Sequence, residues 1–226
     1  EDDDRTLGSP LKSRWSYSEA KAIDEILAYT YWKEKGLETV IVRPKTFVGP
    51  ERLGVFEILF DLIREGRRIP ILGDGKNRYQ LLAVEDLVEA VVRCLDAPVA
   101  GQALNVGAGR FGTVREDLEA LIAHAGSESR LRPVPARPAE LALRALELAR
   151  LSPLAEWHYR TAHKDSFVSI ERARSLLGWE PRLSNAETLC ATYDWYLAHR
   201  DDLRAAGTTH RVPWDQRALG LLKKLS

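Results

Sequence analysis

Ser16-Tyr17-Ser18-Glu19-Ala20-Lys21 opens the stretch that decides the fold, and Val40-Ile41-Val42-Arg43-Pro44 closes it. Between them Ala20, Ile23, Ile26, Leu27 and Tyr31 recur at helical spacing, which predicts a helix over 16–35 with one apolar face. Gly36 supplies its C-terminal stop. The run 39–42 is β-branched and of buried-strand type, ended by Arg43-Pro44. A long helix feeding a short buried strand predicts an αβ unit in a parallel sheet.

The same alternation continues outward. A loop over 44–54 leads to a helix at 55–65, stopped by Gly66, and a short strand at 69–72 that ends in the tight turn Gly73-Asp74-Gly75. An extended piece at 78–84 runs into a helix at 85–95 with Leu87, Val88, Val91 and Val92 on one face. A strand at 102–106 and a helix at 113–125 follow. The capping box Thr113-Val114-Arg115-Glu116 opens that helix. Further elements are a strand at 131–134, an Ala/Leu-rich helix at 139–150, a short helix at 170–177 stopped by Gly178, and a helix to 199. Ser184-Asn185-Ala186-Glu187 opens the last of these as a second capping box. A Leu/Lys-rich segment at 219–225 ends the chain.

Composition narrows the function classes. The chain has 226 residues, with Lys+Arg and Asp+Glu both 33, so its formal net charge is zero. No basic excess marks a nucleic-acid binder. Hydrophobic residues are 45% and charged residues 29%, a globular balance that excludes disordered and fibrous classes. No apolar run approaches the ~20 residues of a membrane span. Cys94 and Cys190 have neither metal spacing nor a secretory context, and the five histidines show no mutual metal spacing. A reducing cytoplasm and no metal are therefore expected.

Tyr17 and Lys21 carry the candidate chemistry. Four residues apart on a helix, they stand on one face. A phenol titrates near 10 and is a poor base at neutral pH. A nearby ammonium favours the phenolate. Bringing it near 7 takes ~3 pH units, or ~4 kcal/mol, more than one Lys supplies; a positively charged nicotinamide beside it adds to the effect. The pair then suits removal of a hydroxyl proton while hydride leaves the same carbon. Alone the spacing is a weak signal, because Tyr and Lys one turn apart are common on solvated helices. Its setting, after an exposed loop and before a strand ending Arg43-Pro44, strengthens it.

With these residues in hand, the chain resembles the extended short-chain dehydrogenase/reductase superfamily, of the NAD-dependent epimerase/dehydratase type. Ser16 to Lys21 looks like the catalytic helix. Val40-Ile41-Val42-Arg43-Pro44 and Val48-Gly49-Pro50 look like the strand and loop after it. Gly73-Asp74-Gly75 with Val84-Glu85-Asp86 looks like the substrate-pocket turn and the helix returning to the sheet. Leu104-Asn105-Val106-Gly107 looks like the last sheet strand, and Leu176-Leu177-Gly178-Trp179-Glu180-Pro181 like the C-terminal signature.

The resemblance implies an α/β fold, the C-terminal part of a Rossmann-type parallel sheet plus a smaller mixed α/β substrate domain. Residues 1–50 and 84–108 fall in the dinucleotide-binding part; 51–83 and 109–226 fall in the substrate-binding part and tail. It implies Tyr17 as general base or acid and Lys21 as its activator and ribose ligand. Pro44, Lys45 and Thr46 come near the nicotinamide, with Thr46 where sugar-nucleotide members usually carry Asn. Arg78 is the candidate for a substrate phosphate, yet it falls one residue early from Gly75, and Tyr79 holds the position counted from Asp86. The implied activity is oxidation–reduction of a nucleotide sugar or similar hydroxyl substrate with NAD or NADP, by a homodimer. A sterol- or flavonoid-type alcohol dehydrogenase is the alternative within enzymes. A cofactor-less interaction or scaffold module is the alternative outside them.

The resemblance also raises an expectation about extent. Only 16 residues precede Tyr17, fewer than the ~30 of a βαβ unit, and the sequence has no methionine, so a longer parent protein is expected. Gly107-Ala108-Gly109-Arg110-Phe111-Gly112 is a literal G-x-G-x-x-G between strand and helix, but the strand candidate after it ends at Pro135-Ala136-Arg137 without the ribose-binding acid.

Overall fold

The computed structural model describes residues 16–136, 138 and 163–205. Helix α1 (Ser16–Lys35) runs into strand β1 (Ile41–Pro44), the αβ unit that the opening stretch predicts. Then come β2 (Thr46–Val48), α2 (Phe56–Arg64), β3 (Arg68–Leu72), β4 (Leu81–Ala83), α3 (Val84–Asp96) and β5 (Ala103–Val106). Helix α4 (Val114–His124), β6 (Arg130–Val134), α5 (Glu171–Leu177) and α6 (Asn185–Ala205) complete the described elements. The helix read at 139–150 and the tail at 219–225 lie outside the described residues.

The strands form parallel two-stranded ladders, β1 with β5, β2 with β4 and β3 with β6. Strand β2 falls where the sequence pattern reads as loop. Lys45 N–H donates to Val106 O at 2.9 Å, ending the β1–β5 ladder, and Thr46 at once pairs in register with Leu81. A three-residue strand carries no periodic signal of its own, and its partner lies 35 positions away along the chain.

The β2–β4 ladder divides two cores. Adjacent side chains in a strand point to opposite faces, so Leu81 enters one core with Val48, Phe60, Ile63, Leu121, Tyr193 and Tyr196. Leu82 enters the other with Leu104, Val106, Ile170, Leu177 and Trp179. Helix α6 closes the first core against α4 and β4, while α5 packs on α3 and β5 in the second. Trp179 is buried under α5, and its indole N–H donates to Asp86 O at 3.1 Å.

Helical periodicity located α1 and α3 without saying which way they face. Among the described side chains of α1 the buried one is Ala22, and Ile23, Ile26, Leu27 and Tyr31 are exposed. On α3, Ala90 and Cys94 are buried and Leu87 packs beside them, whereas Val88, Val91, Val92 and Leu95 are exposed, Leu95 by 81%. Both capping boxes form. Thr113 Oγ1 accepts from Glu116 N–H at 3.2 Å and Glu116 Oε2 from Thr113 N–H at 2.7 Å. Ser184 N–H donates to Glu187 Oε2 at 2.7 Å and Glu187 N–H to Ser184 Oγ at 3.3 Å.

Candidate active site

The site forms where the chain crosses from the β1–β5 ladder to the β2–β4 ladder. At that crossing Lys45 and Thr46 stand beside the carboxyl ends of β1 and β5. Parallel sheets present ligands to that edge. The extended segment 78–80 bridges antiparallel to Thr113 at Arg78 and runs parallel to 165–168 at Tyr79. Ser166 N–H donates to Arg78 O at 2.8 Å and Gln80 N–H to Ser166 O at 3.0 Å. Two segments far apart in sequence thus face the crossing together.

Four side chains meet there. Thr46 Oγ1 and Tyr79 OH lie 2.9 Å apart in a hydrogen bond. Lys45 Nζ donates to Ser166 Oγ at 2.7 Å and stands 5.2 Å from the centroid of the Tyr79 ring. Burial holds the Lys45 ammonium below the ordinary lysine range. Arg78, one residue before Tyr79, projects elsewhere. Its guanidinium carbon lies 4.6 Å from the Phe111 ring centroid and 5.2 Å from that of Phe167, a cation–π arrangement.

Buried amides hold this arrangement from behind. Gln80 Nε2 donates to Ala108 O at 2.8 Å, and Gln80 Oε1 accepts from Val168 N–H at 2.9 Å. Asn185 Oδ1 accepts from Leu81 N–H at 2.8 Å, and its Nδ2 donates to Tyr79 O and Asp117 Oδ2, each at 2.7 Å. Burial pushes the Asp117 carboxyl above the usual carboxylate range.

Helix α1 is fastened to the same strand end. Arg43 grips Glu25 with two nitrogens, at 3.0 Å from Nε and 2.6 Å from Nη2, and both side chains are largely buried. Thr39 Oγ1 donates to Ala28 O at 2.9 Å. Lys21 stands one turn before Glu25, with its Nζ 2.8 Å from Asp24 Oδ2. Tyr17 has its backbone in the first turn of α1, and its side chain lies outside the described residues.

Of the residues singled out in the sequence, the structure joins Lys45, Thr46 and Tyr79, sets Pro44 at the end of β1 beside them, and turns Arg78 onto the two phenyl rings. Ser166, Gln80, Asn185, Phe111 and Phe167 were not singled out for the site. Gln80 had a usable signal, being a lone amide in the otherwise apolar run 79–84; Ser166 had none. The glycine-rich run at 107–112 packs against its own chain. A Cβ on Gly107 would stand 2.6 Å from Gln80, on Gly109 2.7 Å from Arg174, and on Gly112 2.8 Å from Glu116. Its glycines therefore answer to side chains, with no need of a pyrophosphate to explain them.

Comparison with known proteins agrees with the motif order. The model of the NAD dependent epimerase/dehydratase family matches residues 1–107. Over these residues the chain is similar to that family. An uncharacterized protein, y4nG, of Sinorhizobium fredii is 38% identical over 208 residues, covering 91% of this chain and 52% of that protein. The dTDP-glucose 4,6-dehydratase of Streptomyces niveus is 26% identical over 195 residues, covering 85% and 52%. The UDP-glucuronic acid 4-epimerase of Bacillus cereus, solved with UDP-glucuronic acid and NAD, shares the fold at a TM-score of 0.59 and 19% identity, over 80% of this chain and 52% of that one. The chain spans about half the length of the curated relatives it matches. No helix among the described residues is long and apolar enough to cross a membrane.

Proposed function

We propose that this chain carries the proton-transfer pair and substrate pocket of an NAD(P)-dependent oxidoreductase of the epimerase/dehydratase kind, acting at a hydroxyl of a nucleotide sugar or similar small molecule. The observation that carries the reading is the meeting of Lys45, Thr46 and Tyr79 at the carboxyl end of a parallel ladder, in a chain similar to this family. Residues 1–50 and 84–108 then form the dinucleotide side, and 51–83 and 109–226 the substrate side and tail. Leu82, helix α5 and Trp179, from the latter set, pack on the dinucleotide side.

The donors at this edge suit a nicotinamide nucleotide. Lys21 would hold its ribose, and the segment Pro44 to Thr46 would lie along its nicotinamide. When bound, that group supplies the acceptor for the electron pair leaving the substrate carbon. Tyr17 takes the proton from the substrate hydroxyl, and Lys21 lowers the cost of its phenolate. The Glu25–Arg43 ion pair keeps α1 in place against β1, so that the proton acceptor is positioned before substrate arrives. Thr46 and Tyr79 orient the substrate with a hydroxyl each.

A sterol- or flavonoid-type alcohol dehydrogenase is the second reading. It is favoured by Tyr79 standing where a phosphate-binding arginine is expected and by the aromatic pair Phe111 and Phe167, whose ring centroids are 5.8 Å apart.

The test uses the full-length protein. NAD should bind in calorimetry, and a panel of UDP-glucose, UDP-glucuronic acid, dTDP-glucose and a sterol alcohol should reveal the substrate class. Tyr17→Phe should lower turnover at least ~100-fold while NAD affinity stays unchanged. Unaltered turnover removes the proton-transfer role.

A further inference from the structure

Lys45 bears a charge that its surroundings do not balance. Its ammonium is partly buried, and its partners are the neutral hydroxyl of Ser166 at 2.7 Å and the neutral ring of Tyr79 at 5.2 Å. Among the described residues no carboxylate pairs with it. Lys21, Arg43, Arg93 and Arg174, by contrast, each meet one. Taking a cation out of water without a counter-charge is costly, and burial accordingly presses this lysine toward losing its proton. An anion at this place would offset that cost.

The neighbouring groups define which anion. Thr46 and Tyr79 share one hydrogen bond between two hydroxyls, which leaves a hydroxyl hydrogen to donate. Ser166 accepts from Lys45 and keeps its own hydrogen to donate. One point charge with flanking hydroxyl donors matches the two oxygens of a single carboxylate. A diphosphate carries more charge and is usually met by more than one cation or by an arginine fork. Arg78, the nearby guanidinium in the sequence, is instead laid against Phe111 and Phe167.

We infer that Lys45, with Ser166 and the Thr46–Tyr79 hydroxyl pair, binds a carboxylate on the substrate, so that this protein acts on an acid-bearing sugar or comparable hydroxy acid. The inference rests on the proposed function above and specifies the substrate class of that same site. Lys45 is here a specificity determinant, distinct from the proton-transfer pair.

Calorimetry on the full-length protein with NAD tests it, using UDP-glucuronic acid and UDP-glucose, which differ by one carboxylate. The wild type should prefer UDP-glucuronic acid at least about tenfold, the worth of a hydrogen bond to a charged group. Lys45→Gln should erase that preference by weakening UDP-glucuronic acid at least about tenfold more than UDP-glucose. Ser166→Ala, a smaller change that spares the fold, should reduce the preference, and Lys45→Arg should retain part of it. An equal preference in wild type and Lys45→Gln overturns the assignment, as does binding of NAD with neither sugar nucleotide. Weakened NAD binding in Lys45→Gln with the sugar preference kept also overturns it, by giving the charge to the cofactor. If wild type fails to bind NAD at all, the oxidoreductase reading itself falls.

Discussion

Replacing Asn185 should damage the candidate site from behind, by an amount the structure allows to be worked out. The side chain is 1% exposed and satisfies three groups on other elements: Leu81 N–H, Tyr79 O and Asp117 Oδ2, at 2.7–2.8 Å. Asn185→Leu removes all three bonds while keeping the branching of the side chain. A buried donor or acceptor left unmade costs about 1–3 kcal/mol, so three cost about 3 kcal/mol at the least, against a total stability of about 5–15 kcal/mol. Asn185→Asp is the sharper variant. It keeps the acceptor for Leu81 N–H but sets a second carboxylate oxygen against Asp117 Oδ2, in a site where burial already raises the Asp117 carboxyl. Two carboxylates at that distance cannot both ionise cheaply, so one folded-state pKa rises further. A folded acid with a raised pKa binds its proton more tightly than the unfolded chain does. Stability therefore increases as pH falls through the raised value and levels off below the unfolded one. The penalty of Asn185→Asp should shrink between pH 7 and about pH 5. Urea unfolding of the full-length protein, followed by fluorescence of the buried Trp179 and by circular dichroism, measures both. A loss under ~1 kcal/mol for Asn185→Leu, or an Asn185→Asp penalty that grows toward acid, would refute the reasoning.

Other perturbations have equally defined outcomes. Gly107→Ala sets a methyl 2.6 Å from the Gln80 side chain, which is 1% exposed and bonded on both sides, so it should cost about 1–3 kcal/mol in denaturant unfolding. Adding Gln80→Ala should then cost less than the sum of the two single changes, because the second removes what the first collides with. Tyr196 donates to Asp61 Oδ1 at 2.6 Å, and burial followed by that carboxylate raises its phenol well above the ordinary tyrosine value. In an ultraviolet alkaline titration it should stay protonated after exposed tyrosines ionise near 10. Since the unfolded phenol ionises there and the folded one does not, stability should fall as pH rises above about 10, and Tyr196→Phe should flatten that decline.

The capping boxes show how far local signals carry. Thr113 with Glu116 and Ser184 with Glu187 were read from spacing and are found bonded as read, because both partners lie within one turn. The helix–strand alternation and its parallel sheet were likewise legible, since amphipathic period and β-branched runs are properties of short windows. The candidate site was legible only in part. Lys45, Thr46 and Tyr79 could be named through motif order, whereas Ser166 sits in no motif and Asn185 stands out only as part of a capping box. They reach the site because segment 165–168 pairs with 78–80 and because the amide that follows the Ser184 cap meets β4.

Sequence by itself determined which windows become helix or strand, where the helices start, and which family order the motifs follow. Those properties are set by neighbours a few residues apart. Tertiary structure alone decided that Leu81 and Leu82 feed opposite cores, that Ala22 and not Ile23 is buried on α1, and that Lys45 has hydroxyls for company. Each of these depends on which distant segment comes to lie alongside, and burial and charge balance take their values only once that packing exists.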